Sequence, residues 1–149
     1  MKASKSSKPS SRSRLPTQTD DRSPAGVRSA EVVLDVDVVK DRVHLVLANC
    51  GDAVATDVQV TFSRALVGLG GSLRVSGLPI FTKLGVLRPG RVLRIFWDAA
   101  PSLLTHKGQA APFVATVSWS ERSRPRQQVD YHHDLSIYRQ LPEALEPFP

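Results

Sequence analysis

From Glu31 onward, apolar and polar residues alternate with a period of two, the spacing of a strand buried on one face. Val32, Leu34, Val36 and Val38 fall on one side, with Asp35 and Asp37 on the other. Lys40-Asp41-Arg42 forms a short polar turn, after which Val43, Leu45 and Leu47 resume the alternation. The two runs read as a hairpin. Asn49-Cys50-Gly51-Asp52 then interrupts the pattern with residues that favour turns. A third strand is expected with Val58, Val60 and Phe62 inward and Asp57, Gln59 and Thr61 outward.

Val67 to Gly77 contains Gly68, Gly70, Gly71 and Gly77 and reads as a crossing segment rather than a regular element. Leu78 to Lys83 is expected as a short edge strand, because Pro79 has no N–H to give a central ladder. Arg88-Pro89-Gly90 is a turn leading into Arg91 to Asp98, where Leu93, Ile95 and Trp97 share a face. Ala99 to Ala111 is a longer connection, with Leu103 and Leu104 packing as a half-buried turn. Phe113, Ala115, Val117 and Trp119 alternate with Val114, Thr116, Ser118 and Ser120. The charged turn Glu121 to Arg126 separates that strand from a last one at about Gln127 to Ser136.

Six strands and one short edge strand result, with no amphipathic helix of ten residues or more. Parallel pairing needs crossovers of a dozen or more residues. Only 64–78 and 98–111 have that length, and neither has helical periodicity. The fold class is therefore all-β: an antiparallel, immunoglobulin-like β-sandwich of about seven short strands. A small closed barrel is the competing architecture.

The segment Val43-His44-Leu45-Val46-Leu47-Ala48-Asn49-Cys50-Gly51-Asp52-Ala53, with Ala55 and Val58 to Val60, is a strand ending in Asn, a Gly turn and an alternating Val strand. Leu87-Arg88-Pro89-Gly90 places a Pro-Gly turn ahead of a strand, and the Trp119 strand leads to a closing hairpin ending Asp134-Leu135. Over residues 31–136 the chain resembles the prokaryotic immunoglobulin-like domains related to bacterial cell-adhesion modules. The resemblance implies a binding or spacer role without catalytic residues. Members of that group often accompany a membrane segment or sit in extracellular multidomain chains. No run here approaches the 18 or so apolar residues of a membrane helix, and no secretory signal is recognised, so a cytoplasmic protein is expected.

Composition adds a division of charge. The 149 residues carry a formal +6. Residues 1–28 hold seven bases and two acids, a net of +5, whereas the remainder holds 13 bases and 12 acids. The same 28 residues contain seven Ser, three Pro and no aromatic residue. Such a segment buries too little apolar area to offset its chain entropy. It is expected to be a disordered tail, residues 1–28, before the sandwich at 29–141 and a loose end at 142–149. Lys2, Lys5, Lys8, Arg12 and Arg14 are candidate electrostatic contacts to nucleic acid, which they would attract without choosing sequence.

Candidate chemistry is sparse. His132-His133-Asp134 invites a metal or acid–base reading, with His44 and His106 as partners. Adjacent strand residues point to opposite faces, so the two histidines cannot chelate one ion from a regular strand. Cys50 reads as a half-buried turn residue, and a lone thiol supports neither a disulfide nor a multi-cysteine zinc site. Gly68-Leu69-Gly70-Gly71-Ser72 lacks the Lys and helix of a phosphate cradle. Trp97 and Trp119 are in phase with inward aliphatic residues and are assigned to the core rather than to a sugar platform. Val92, Phe96 and Val114 lie out of phase with their strands' core faces and are the candidate partner surface. No catalytic, metal or cofactor site is assigned. The expected partner is another protein, with nucleic acid as the alternative, through the tail.

Overall fold

Val32, Leu34 and Val36 are all buried, as their alternation requires. They belong to β1 (Val32–Val39), which pairs antiparallel with β2 (Arg42–Asn49). A computed structural model describes residues 28–105, 108–122 and 124–140. The expected disorder of the N-terminal tail with its five candidate contacts, the loose end at 142–149, and His106 all lie outside the described residues.

The β1–β2 register sets Val39 opposite Arg42, so Lys40 and Asp41 alone make the turn. Both have positive φ, 49° and 61°. That is the geometry of a two-residue hairpin loop whose twist matches the strands it joins.

β3 (Ala55–Phe62) starts earlier than the expected run at Val58. Asp57 has φ 51°, and the ladder to the neighbouring strand slips between Thr56 and Gln59. This irregularity lets Ala55 and Val58 both point inward, which a strict alternation forbids.

A two-residue pair, β4 (Val67–Gly68) and β5 (Leu73–Arg74), lies within the glycine-rich crossing segment. The expected edge strand at Leu78–Lys83 is instead a 3₁₀ turn over Pro79–Phe81. Proline is suited to the first position of such a turn, where its missing N–H costs nothing. Phe81 fills the core from there. The edge strand follows as β6 (Leu84–Leu87), and then comes β7 (Val92–Ala99). A short helix, α1 (Ala100–Thr105), buries Leu103 completely. β8 (Phe113–Glu121) alternates buried and half-buried residues along its whole length. β9 (Arg124–His133) begins three residues before expectation, and a 3₁₀ segment over Leu135–Gln140 follows it.

The strands form a three-stranded sheet ordered β1-β2-β7 and a four-stranded sheet ordered β6-β3-β8-β9, antiparallel throughout. The chain is thus an all-β antiparallel sandwich with seven strands in its two main sheets. Among the described residues no ladder joins β1 to β9 or β6 to β7, so the sheets do not close into a barrel.

Trp97, Phe81, Phe113, Leu34, Leu45 and Leu47 fill the space between the sheets. Burial of each such side chain contributes roughly 1.5–3 kcal/mol. The Trp97 and Phe113 rings meet edge-on at 5.7 Å, and the Trp97 indole N–H donates to the Val67 carbonyl at 3.0 Å. Arg64 fastens the connection into β8, donating to the Gln109 and Ala111 carbonyls at 2.6 Å each. Burial lowers the pKa of that guanidinium below its ordinary value.

Candidate functional site

The histidines are set apart by the topology. His44 stands on the outer face of the three-stranded sheet, edge-on to Phe96 at 5.6 Å. The Arg42 guanidinium covers that same Phe96 ring at 4.6 Å. His132 lies opposite Val114 on the outer face of the other sheet, while His133 turns inward against Phe113 at 5.2 Å. The His133 Nε2 is 3.0 Å from the Leu34 carbonyl oxygen, to which its N–H donates in the matching tautomer. A cavity of about 280 Å³ brings Ser63, Phe113, His132, His133 and Asp134 together. His44 is not part of it. The Asp134 carboxylate is engaged by the Ser136 N–H at 3.0 Å and its hydroxyl at 2.6 Å. Among the described residues no group of three His, Cys, Asp or Glu is arranged to hold a metal ion.

Cys50 is exposed rather than half-buried. The residue before it has the larger structural role. Asn49 is buried, and its Oδ1 accepts from the Glu31 and Gly51 N–H groups at 3.2 and 3.0 Å. Its Nδ2 donates to the Ala53 and Leu87 carbonyls at 2.8 and 2.9 Å. One amide thereby ties the start of β1, the 50–54 turn and the end of β6. The only advance signal was a strand ending in Asn before a Gly turn.

In the glycine-rich loop, the Gly70 N–H meets a carboxylate of the chain itself, Asp98 Oδ2, at 3.3 Å. Asp98 is buried and also accepts from the Ala99 N–H and the Ser102 hydroxyl, at 2.8 and 3.1 Å. Trp97 and Trp119 are both in the core.

The candidate surface residues divide between opposite sides of the sandwich. Val92 and Phe96 lie on the outer face of the three-stranded sheet, in line with Ala48 and His44. Val114 faces outward from the four-stranded sheet, so the three form no single patch. Around Val114 that face is polar: Thr116 bonds Asp130 at 2.8 Å, and Arg126 bonds Asp57, Ser118 and Ser120. Phe96 is covered by Arg42 and His44.

The two flanks of the sandwich differ in kind. On the β1–β9 flank, successive backbone groups of β1 are met by side chains. The Tyr131 hydroxyl donates to the Val32 carbonyl at 2.9 Å, His133 reaches the Leu34 carbonyl, and Asp35 Oδ1 accepts from the Val36 N–H at 2.8 Å. Such coverage removes an edge as a template for another strand. Burial, with Glu31 and Cys50 nearby, raises the Tyr131 pKa.

The β6–β7 flank carries a groove of about 420 Å³ lined by Leu84, Val86, Leu87, Arg88, Arg91 and Leu93. This volume is at the small end of ligand sites. Val86 is 52% exposed, and Val92, between the groove residues Arg91 and Leu93, is 49% exposed. Gly68 packs against the far end of β7, where a Cβ on it would stand 1.9 Å from the Trp97 carbonyl oxygen. No strand pairs with the outer edge of β6 among the described residues. Sequence pattern did not single out Leu84, Val86 or Arg91. Their meeting depends on where two edges end in space.

A family model described as Domain of unknown function (DUF8453) matches residues 16–139. No curated protein and no solved structure matches the chain.

Proposed function

The chain belongs to that DUF8453 family, and we propose that it is a non-enzymatic protein-interaction module whose partner docks along the β6–β7 flank. One observation carries this reading: the flank combines an uncovered strand edge with an apolar groove, whereas the β1–β9 flank is closed by Tyr131 and His133. Strand addition at an open edge obtains affinity from main-chain bonds and selectivity from neighbouring pockets. The strand order supports kinship with immunoglobulin-like domains. β1, β2 and β7 form one sheet and β3, β8 and β9 the other, with β6 on the second sheet.

The same reading assigns a cytoplasmic setting, supported by the exposed free thiol of Cys50. No described helix is long and apolar enough to cross a membrane.

Co-purification with the full chain at physiological salt tests the proposal. A partner retained by the native protein should be lost by Val86→Glu combined with Val92→Glu, with folding unchanged by circular dichroism. Retention by that variant places the interface elsewhere.

A second reading, contact with nucleic acid, is supported by the +5 concentrated in residues 1–28. It requires binding of duplex DNA by the full chain that weakens steeply with salt and vanishes when the seven bases of residues 1–28 are replaced by Gln.

A further inference from the structure

We infer that the β6–β7 groove takes an extended peptide whose apolar side chains are flanked by carboxylates; this rests on the docking reading above. The walls are apolar, supplied by Leu84, Val86, Leu87 and Leu93, and the polar lining consists of Arg88 and Arg91. Among the described residues no acidic side chain lines the groove. Both arginines are exposed, and among the described residues neither side chain has a hydrogen bond or ion pair.

Some other surface arginines are engaged, although Arg74 and Arg122, like the groove pair, have no side-chain partner among the described residues. Arg94 pairs with Asp37, and Arg126 with Asp57 at 3.1 Å. The backbone that carries the two groove arginines is held in place. The two residues are the ends of one turn, closed by the Arg91 N–H donating to the Arg88 carbonyl at 3.1 Å. Asn49 pins that turn to β2, its N–H donating to the Arg91 carbonyl at 3.1 Å and its carbonyl accepting from Gly90 at 2.9 Å. A turn brings its end residues within about 7 Å at Cα. Two unneutralised cations carried on a backbone so fixed, beside an apolar channel, form the complement of a carboxylate following apolar side chains. An extended backbone suits the open edge of β6, which offers main-chain groups rather than a helix-wide trough.

Three acetylated, amidated heptapeptides serve as probes for the ¹⁵N-labelled full chain: alternating Val and Glu, the same with Gln for Glu, and the same with Lys. The Glu peptide should shift the amide signals of Leu84–Leu87 and Arg91–Leu93. It should bind about fivefold to tenfold more tightly than the Gln peptide at low salt, as expected for two weakly screened ion pairs. The Lys peptide should bind most weakly. In Arg88→Gln combined with Arg91→Gln, the Glu and Gln peptides should become equal. Equal shifts of these signals by Glu and Gln peptides in the native protein overturn the acidic preference and leave the docking groove standing. Shifts confined to another surface, or none from any peptide at millimolar concentration, overturn both.

Discussion

The Tyr131 hydroxyl donates to the Val32 carbonyl oxygen at 2.9 Å, joining the edge strands of two sheets that share no backbone ladder. Removing the hydroxyl with Tyr131→Phe keeps the ring and deletes one neutral hydrogen bond. The expected loss is about 1 kcal/mol in urea unfolding. The variant should also self-associate more readily at high concentration, measured by light scattering, because part of the β1 edge is uncovered.

The same phenol makes stability depend on pH in the alkaline range. Its folded pKa is raised above the ordinary phenol value of 10.0, chiefly by burial. The native state therefore holds that proton more tightly than the unfolded chain, and its contribution is complete below pH about 10 and lost as pH rises through the folded value. Unfolding followed from pH 8 to 11 should show a decline in the native protein that is shallower in Tyr131→Phe.

The β1–β2 turn is stable in spite of its residues. Lys40 and Asp41 both adopt positive φ, a conformation that costs roughly 1–2 kcal/mol for ordinary L-residues and less for Asn or Asp. Replacing the pair by Asn-Gly, the preferred occupants of this turn, should raise stability by about 1 kcal/mol and leave the register intact. Thermal unfolding checks the first expectation, and amide exchange along β1 and β2 the second.

Asn49→Ala removes four bonds at once and leaves the Leu87 carbonyl and the Glu31 N–H without their partners. A loss of about 3 kcal/mol is expected from the unsatisfied buried groups. Asn49→Asp should be nearly as damaging at neutral pH, since a carboxylate can accept from Glu31 and Gly51 but cannot donate to Ala53 or Leu87.

Two glycines offer a paired comparison. A methyl group on Gly68 meets the Trp97 backbone oxygen at 1.9 Å, and one on Gly85 meets nothing within 4 Å. Gly68→Ala should cost about 2 kcal/mol or more through displacement of Trp97, visible in its near-ultraviolet signal. Gly85→Ala should change stability by less than about 0.5 kcal/mol.

Where apolar residues alternate for eight or nine positions, as in β1, β2, β7 and β8, the strands are legible because one buried face repeats every second residue. Legibility fails where an element is too short to repeat. β6 has four residues and includes Gly85, and α1 has six, so neither shows a period. Pro79 signals the limits of a ladder but does not distinguish an edge strand from the first position of a 3₁₀ turn. The Asp57 irregularity hides the start of β3 for the same local reason. The candidate site was legible in its Leu87-Arg88-Pro89-Gly90 turn and in Leu93, with Val92 beside it. The groove itself depends on Leu84 and Leu93 arriving from different sheets, and the closed flank on residues 99 positions apart in the chain.

Asn49 and its neighbours also determine how a pull on the N-terminal side enters the domain. Before β1 begins, Ser29 exchanges backbone and side-chain bonds with Asp52 at 2.9 Å, and Glu31 is held by Asn49. β1 is then gripped by the β2 ladder on one side and by Tyr131 and His133 on the other. Tension applied ahead of residue 29 is thus shared among both sheets from the first strand inward.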